Sequence, residues 1–259
     1  TYEDFPHTGG MSYEEGVDSI PHGGLGVLSA EKLSKAINKN PNLKLTVKLS
    51  GTWYPDALSH NVVGLLRGQK NPEKIITVGG HLDSWDIGEG AHDDGAGCVH
   101  SIGALRLFQK QNIRPNNTIR AVMFMNEEFG LRGGLKYAEI AVRDGEQHIA
   151  AIESDASGYV PRGFGFSGSE EQLEKIQDWL KYFDINTISY FKKGGGGADI
   201  GPLHRQTGTP MFGLSIDGQK YFEMHHTAKD VFELVHAREL ELGTASLASL
   251  IYLIDQYGL

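Results

Sequence analysis

From residue 61 to its end, the chain alternates short apolar runs with longer segments of helical period. Short apolar runs bounded by turn residues predict strands, and apolar positions that recur with the helical period predict helices. The predicted strands span residues 61–67, 74–79, 118–124, 148–152, 163–167, 186–191 and 210–216. The predicted helices span residues 95–110, 131–143, 170–183, a short segment from 199, and 237–256. This alternation predicts a layered α/β/α domain and leaves the strand order open.

The region before residue 61 follows a different pattern. Residues 1–26 are rich in Gly, Pro, His and acidic residues and show no clear period. Ser29 is a suitable N-cap for a helix that runs to Lys39, and residues 43–49 alternate apolar and polar side chains as a half-buried strand does. We therefore expect one helix and one strand ahead of the α/β domain.

Composition narrows the classes of function. The chain has 259 residues, enough for one α/β domain with a small attachment. Its formal net charge of −9 disfavours nucleic acid and anionic membranes as partners, since both would repel it. No apolar stretch is long enough to span a bilayer, and Cys98, the single cysteine, cannot form an internal disulfide bond. Many of the 34 glycines cluster between periodic segments, which is typical of an active site built from loops.

Residues able to bind a metal follow several of the predicted strands. In open α/β sheets, the ligand crevice forms beyond the carboxyl ends of the strands. Residues 81–86 (His-Leu-Asp-Ser-Trp-Asp), 126–128 (Asn-Glu-Glu) and 153–155 (Glu-Ser-Asp) each follow a predicted strand. Residues 90–95 (Gly-Ala-His-Asp-Asp-Gly) lead into a helix, and a His pair occupies positions 225–226.

These clusters fit a pair of zinc ions. Adjacent carboxylates at a buried strand end repel each other and lose hydration, and a bound cation offsets both costs. Two zinc ions need about five protein ligands from His and carboxylate side chains when one carboxylate bridges them. The chain offers five candidates: His81, Asp93, Glu128, Asp155 and His226. Glu127 would then lie beside the metals as a general base for a bridging water.

Each cluster also has an interpretation without a metal. Asp93 and Asp94 are suitable residues to cap the following helix and to interact favourably with its dipole. Glu127 and Glu128 are compatible with a solvated helix start, and a single His after a strand is commonly a structural residue. The four clusters together favour the metal site, because capping alone rarely produces them in one chain.

Five separated motifs carry a family resemblance. They are, in order, Gly79-Gly80-His81-Leu82-Asp83-Ser84-Trp85-Asp86, Asp93-Asp94-Gly95-Ala96-Gly97, Glu127-Glu128, Glu153-Ser154-Asp155 and His225-His226-Thr227. This series resembles the co-catalytic zinc exopeptidases, which include zinc aminopeptidases and glutamate carboxypeptidases. The resemblance extends from about Phe5 to the C-terminal helix. It implies a three-layer α/β/α sandwich with a mixed central sheet, and hydrolysis of dipeptides or short peptides.

The resemblance also implies a role for each candidate ligand. His81 and Asp155 would hold one zinc ion, and Glu128 and His226 would hold the other. Asp93 would bridge the two ions, which gives two zinc ions per chain.

Three further residues receive roles from the same resemblance. Glu127 would be the general base, and Asp83 would orient His81 through its free ring nitrogen. His225, which stands where many relatives have Tyr, would help to polarise the substrate carbonyl. The family often has a cis peptide bond after the bridging aspartate, which here precedes Asp94.

The resemblance further divides the chain. Residues 1–52 are similar to the end of a protease-associated domain, and residues 53–259 to the catalytic domain. This implies a fragment or a truncated form of a longer protein. Such family members are usually secreted, periplasmic or lysosomal, although the first residues here lack the pattern of a signal peptide. Whether the chain forms a homodimer stays open.

Two other classes of function compete with the exopeptidase. A glutaminyl cyclase is an acyltransferase of the same fold with a single zinc ion, and a receptor-like relative would lack the metal ligands and bind without catalysis. The complete ligand set disfavours both. Metal content separates the three, with two, one or no ions per chain. No arginine can be assigned to a substrate carboxylate, so the recognised end of the peptide stays open.

Overall fold

The computed structural model describes residues 4–52, 54–155, 158–183 and 187–259. Its strands are β1 (Val62–Leu66), β2 (Asn71–His81), β3 (Asn117–Phe124), β4 (Gln147–Glu153), β5 (Pro161–Ser167), β6 (Tyr190–Lys193) and β7 (Met211–Ile216). They form one seven-stranded sheet in the order β1-β3-β2-β4-β7-β5-β6. Strands β3, β2, β4 and β7 are parallel, whereas β1 and β5 are antiparallel to their neighbours β3 and β7. The sheet is therefore mixed.

Helices cover both faces of this sheet. The helices of the described residues are α1 (Val27–Lys39), α2 (Ala96–Lys110), α3 (Arg132–Asp144), α4 (Glu170–Gln177), α5 (Gly201–Thr207), α6 (Gly218–Tyr221) and α7 (Ala237–Tyr257). Helices α2 and α7 pack together, as do α3 and α5. Their buried side chains belong to two separate hydrophobic cores. The predicted three-layer α/β/α sandwich with a mixed central sheet is confirmed.

The central strands are mainly apolar because both of their faces are covered. Successive side chains of a strand point to opposite faces of the sheet. In β3, Ile119, Ala121 and Met123 enter the core shared with α2 and α7, whereas Val122 and Phe124 enter the core shared with α3 and α5. The continuous apolar runs that predict these strands follow directly from this double burial.

Some element boundaries differ from the sequence prediction. The helix predicted over residues 170–183 ends at Gln177 and continues as a 3-10 helix, Asp178–Tyr182. The strand predicted over residues 186–191 is observed as β6 from Tyr190, and residue 186 lies outside the described residues.

The strand predicted over residues 43–49 is wrong. The segment forms no strand, and the side chains of Leu45 and Val47 are 61% and 69% exposed. Alternation of apolar and polar residues produces a strand only where a second strand supplies hydrogen bonds. Within the described residues, no strand pairs with this segment.

The described part of residues 1–52 lies outside the central sheet. It contributes α1, which has no fully buried residue, and segments without regular secondary structure on either side of it. The division into a domain remnant and a catalytic domain at residue 52 stays a prediction. Across the described ranges, none of the helices combines the length and apolarity that crossing a bilayer requires.

Candidate metal centre

Three neighbouring parallel strands place candidate ligands at one edge of the sheet. His81 is the last residue of β2, Asp155 follows the end of β4, and Glu128 follows the end of β3. Asp93 lies in the turn before α2, and His226 lies in the loop after α6. The carboxyl ends of parallel strands meet at one edge, so residues far apart in sequence converge there.

The candidate ligands form two groups that share Asp93. The Nε2 atom of His81 lies 3.2 Å from Oδ1 of Asp93 and 3.6 Å from Oδ1 of Asp155. The Nε2 atom of His226 lies 3.3 Å from Oδ2 of Asp93 and 3.3 Å from Oε2 of Glu128. Each oxygen of Asp93 thus faces a different imidazole, which is the arrangement expected of a bridging carboxylate. All five candidate residues lie together, and their ligand roles remain a prediction.

Hydrogen bonds leave the Nε2 atoms of both imidazoles available. Nδ1 of His81 donates to the backbone oxygen of Asp83 at 2.8 Å, and Nδ1 of His226 donates to the backbone oxygen of Thr8 at 3.1 Å. A carbonyl oxygen only accepts, so each Nδ1 carries a hydrogen. In a neutral ring, Nε2 then holds the lone pair that binds a metal.

Asp83 acts differently from the sequence prediction. Its backbone oxygen, rather than its carboxylate, accepts the hydrogen bond from His81, and the nearest carboxylate contact is 3.8 Å long. The carboxylate instead accepts the backbone N–H groups of Glu127 at 3.0 Å and of Glu128 at 3.2 Å. Asp83 therefore positions both the imidazole and the acidic pair.

The two aspartates of the turn before α2 have separate functions. Asp94 accepts hydrogen bonds from the backbone N–H groups of His81 and Gly97, each at 3.0 Å, and so caps the start of α2. Asp93 faces the cluster instead. The capping interpretation therefore holds for Asp94 and the metal interpretation suits Asp93. The peptide bond between them is cis, as predicted.

Two residues at the site received no role from the sequence. Asp230 accepts the backbone N–H groups of His92 at 2.6 Å and of Asp93 at 3.0 Å, which fixes the turn. Trp85 donates from Nε1 to Oε2 of Glu128 at 2.5 Å. Trp85 belongs to the motif after β2, whereas nothing in the sequence links position 230 to this turn.

The charges of the cluster favour a bound cation. Burial lowers the pKa of His226, but the carboxylates of Asp93 and Glu128 outweigh it and raise that pKa to about 10. Burial also opposes protonation of His81, but the carboxylates of Asp155 and Asp93 outweigh this effect and raise the pKa of His81. The carboxylates thus stabilise positive charge at both Nε2 positions. A divalent cation at these positions would supply that charge and displace the protons.

Unpartnered buried atoms in the cluster match the donors of zinc. Nε2 of His81, Oδ2 of Asp93 and Oε1 of Glu128 are buried and have no hydrogen-bond partner among the described residues. Buried polar atoms normally have such a partner. Imidazole nitrogen and carboxylate oxygen are common zinc ligands. The residues present therefore fit the predicted metal.

The carboxyl group of Glu127 has a higher pKa than that of an ordinary glutamate. Its pKa is raised to about 7. Burial is the largest cause, the charge of His81 opposes it, and nearby carboxylates such as that of Asp155 add to it. A carboxyl group with this pKa exchanges protons near neutral pH.

Aromatic rings border the cluster on the side of α6. Nε2 of His225 lies 3.5 Å from Oδ2 of Asp93, and its ring stacks on that of His226 with centroids 3.6 Å apart. Burial and the charge of His226 lower the pKa of His225. The rings of Tyr221 and Phe222 lie 4.9 Å and 5.7 Å from that of His225. They give the cluster an apolar border.

A cavity of about 440 Å³, separate from the candidate metal centre, lies at the opposite, amino-terminal edge of the parallel strands. Its buried polar groups already have partners. His148 bonds to Thr77 and Glu146, and both carboxylate oxygens of Asp255 accept backbone N–H groups. We therefore place the candidate functional site at the carboxyl edge.

Comparison with known proteins establishes the family. Residues 61–250 match the model of peptidase family M28, and the chain belongs to that family. Curated relatives include carboxypeptidase Q of Bos taurus and of Homo sapiens, each 33% identical over 249 residues. These alignments cover 96% of this chain and 52% of each relative, so the chain spans about half their length. The predicted membership of the zinc exopeptidases is confirmed.

Solved structures support the same fold. A peptidase M28 precursor from Shewanella amazonensis superposes with a TM-score of 0.87 at 29% identity, over 100% of this chain and 59% of that one. An aminopeptidase from Aneurinibacillus sp. has a TM-score of 0.61 at 21% identity, over 75% of this chain and 48% of that one. A glutaminyl cyclase from an Acidobacteriales bacterium has a TM-score of 0.57 at 18% identity, over 76% of this chain and 74% of that one. The last two show only a shared fold.

Proposed function

We propose that this chain is the catalytic part of a di-zinc metallo-exopeptidase that hydrolyses a peptide bond near one end of a dipeptide or short peptide. The position of Asp93 carries the proposal. Its two oxygens lie 3.2 Å and 3.3 Å from the Nε2 atoms of His81 and His226. One carboxylate between two ligand groups suits a two-metal hydrolase. Membership of peptidase family M28 supports a peptide substrate.

Each metal position would have three protein ligands. His81 and Asp155 would hold one zinc ion, Glu128 and His226 would hold the other, and Asp93 would be shared. Three protein ligands leave room for water and substrate, as in other catalytic zinc sites. When bound, the two ions would lower the pKa of a water molecule and polarise the substrate carbonyl.

Glu127 would act as the general base. It would take a proton from the attacking water and deliver it to the leaving amine. The hydrogen bond from its backbone N–H to Asp83 fixes its position at the edge of the cluster. Its pKa of about 7 would fall beside bound cations, because nearby positive charge favours the carboxylate. Glu127 would therefore be ionised and able to accept a proton at neutral pH.

His225 would stabilise the developing negative charge. Its lowered pKa favours the neutral ring at neutral pH. A neutral imidazole retains one N–H group, which would donate a hydrogen bond to the substrate oxygen as that oxygen becomes negative.

Digestion of a dipeptide library, with zinc analysis of the same sample, tests the proposal. Each peptide is supplied free, N-acetylated and C-amidated. We expect cleavage of free peptides and loss of activity against one blocked form, which identifies the recognised end. A protein that holds two zinc ions and cleaves no peptide would contradict the proposal. Formation of pyroglutamate by a protein with one zinc ion would support the glutaminyl cyclase alternative instead.

A further inference from the structure

A segment near the N-terminus contacts the loop that carries His226. We call residues 5–8 the N-terminal strap. The backbone N–H of Thr8 donates to the backbone oxygen of His226 at 2.8 Å, and Nδ1 of His226 donates back to the oxygen of Thr8 at 3.1 Å. Nδ1 of His7 donates to the backbone oxygen of His225 at 2.6 Å. Three hydrogen bonds thus join the strap to this pair of histidines.

Contacts at its start hold the strap in place. The ammonium group of Lys229 lies 4.8 Å from the centre of the Phe5 ring. Just before the strap, the carboxylate of Asp4 accepts hydrogen bonds from the backbone N–H and the hydroxyl of Ser29, in the first turn of α1. The strap therefore connects α1 with the loop after α6.

The two imidazoles of the metal centre are supported by different parts of the chain. His81 ends a central strand, and its Nδ1 atom is held by Asp83, two residues further on. His226 lies in a loop with a backbone φ of +57°, and its Nδ1 atom is held by Thr8, 218 residues away in sequence. A bond to Nδ1 fixes both the tautomer and the direction of Nε2.

We propose that the N-terminal strap is a positioning element for the metal position formed by Glu128 and His226. Occupancy of that position by zinc then depends on a segment outside the catalytic sheet, whereas occupancy of the position formed by His81 and Asp155 does not. This inference rests on the proposed function. It makes the two metal positions unequal in a defined direction.

Two substitutions at one residue isolate the effect of the strap. Thr8→Pro removes the N–H group that donates to His226, and Thr8→Ala keeps every backbone group. Zinc affinity is measured by competition with a chromophoric chelator, and cobalt-substituted protein gives an absorption spectrum that reports the coordination of each position. In Thr8→Pro we expect one of two ions to bind about 10-fold more weakly and the cobalt spectrum of one position to change. Thr8→Ala should match the wild type.

A second variant and a folding control complete the experiment. His7→Phe removes the bond to the backbone of His225 and should weaken the same position, so it carries the test if Thr8→Pro does not fold. Circular dichroism and thermal unfolding establish folding. Unchanged affinity at both positions, or equal weakening of both, would overturn the role of the strap. Failure of the wild type to bind two zinc ions would instead overturn the proposed function.

Discussion

At the scale of single residues, two neighbouring glutamates have different surroundings. Glu128 accepts a hydrogen bond from Trp85 and lies 3.3 Å from Nε2 of His226. Glu127 is half-buried, and burial is the main cause that raises its pKa to about 7. Asp83 holds the backbone of both. These surroundings suit the roles that we propose, Glu128 as a metal ligand and Glu127 as a proton acceptor.

The substitutions Glu127→Gln and Glu128→Gln should separate these roles. Glu127→Gln keeps the size of the side chain and removes the proton acceptor, so both zinc ions should remain while turnover falls by about 10²–10⁴-fold. Glu128→Gln replaces a carboxylate ligand with a neutral amide, so zinc content should fall towards one ion per chain. Zinc analysis and steady-state kinetics on both variants provide the measurement.

Added zinc is the control for this pair. It should partly restore activity to Glu128→Gln, because the loss there is one of metal affinity. It should not restore activity to Glu127→Gln. If both variants keep two ions and near-normal turnover, neither residue has its assigned role. A reversed pattern would show that the ligand assignment is wrong by one residue.

At the scale of elements, the start of α2 lies very close to the ends of β2 and β4. A Cβ atom at Gly97 would lie only 1.6 Å from the backbone oxygen of Ser154 and 2.4 Å from Oδ1 of Asp94. Ser154 precedes Asp155, and the turn before α2 carries Asp93. The close contact between the backbones of Gly97 and Ser154 therefore sets the distance between the candidate ligands Asp93 and Asp155.

Gly97→Ala should disturb both folding and metal binding. The added methyl group meets backbone rather than a flexible side chain, so the free energy of unfolding should fall by at least about 2 kcal/mol. Gly64→Ala on the edge strand β1 is the matched control, because no atom of the described residues, apart from its chain neighbours, lies within 4 Å of the added methyl group. Urea unfolding of both variants measures the difference. Equal stability of Gly97→Ala and wild type would contradict this packing.

The sequence predicts the elements better than their arrangement. Central strands such as β3 are recognisable because burial on both faces requires continuous apolar runs. The insertion of β7 between β4 and β5 depends on pairing between distant segments, for which no local pattern exists. The strand predicted over residues 43–49 is wrong for a related reason. Alternation of apolar and polar residues is a property of one segment and does not show whether a second strand pairs with it.

The same distinction applies to the candidate site. His81 and Asp155 are found from the sequence because they lie at, or two residues after, the end of an apolar strand. Asp230 and Thr8 are missed because they act on residues 137 and 218 positions away. Asp230 binds backbone N–H groups, which every residue except proline has, and Thr8 takes part through its own backbone. The residue types at these positions therefore do not indicate the contacts.

At the scale of the whole molecule, buried ionisable groups make stability depend on pH. His100 is fully buried beside α7, and its Nδ1 atom bonds to the hydroxyl of Ser154 at 2.9 Å. Burial lowers the pKa of His100 from 6.5 to about 4. Between these values the unfolded chain binds more protons than the folded chain. The contribution of His100 is therefore present above pH 6.5 and is lost as the pH falls towards 4.

His100→Asn should reduce this pH dependence. The asparagine keeps a hydrogen-bonding group and does not titrate. Between pH 7.5 and 4.5, metal-free wild type should lose about 2–3 kcal/mol more unfolding free energy than the variant. His60→Asn, at an exposed position, is the control and should follow the wild type. Parallel pH profiles for wild type and His100→Asn in urea unfolding would contradict the prediction.

We propose above all that five residues from distant parts of the chain, Asp93 among them, hold two zinc ions. A crystal structure of the zinc-loaded protein, with diffraction recorded at the zinc absorption edge, tests it most directly. We expect two anomalous peaks about 3.5–4 Å apart, one beside His81 and Asp155 and the other beside Glu128 and His226. A single peak, no peak, or Asp93 turned to solvent away from His81 would contradict it.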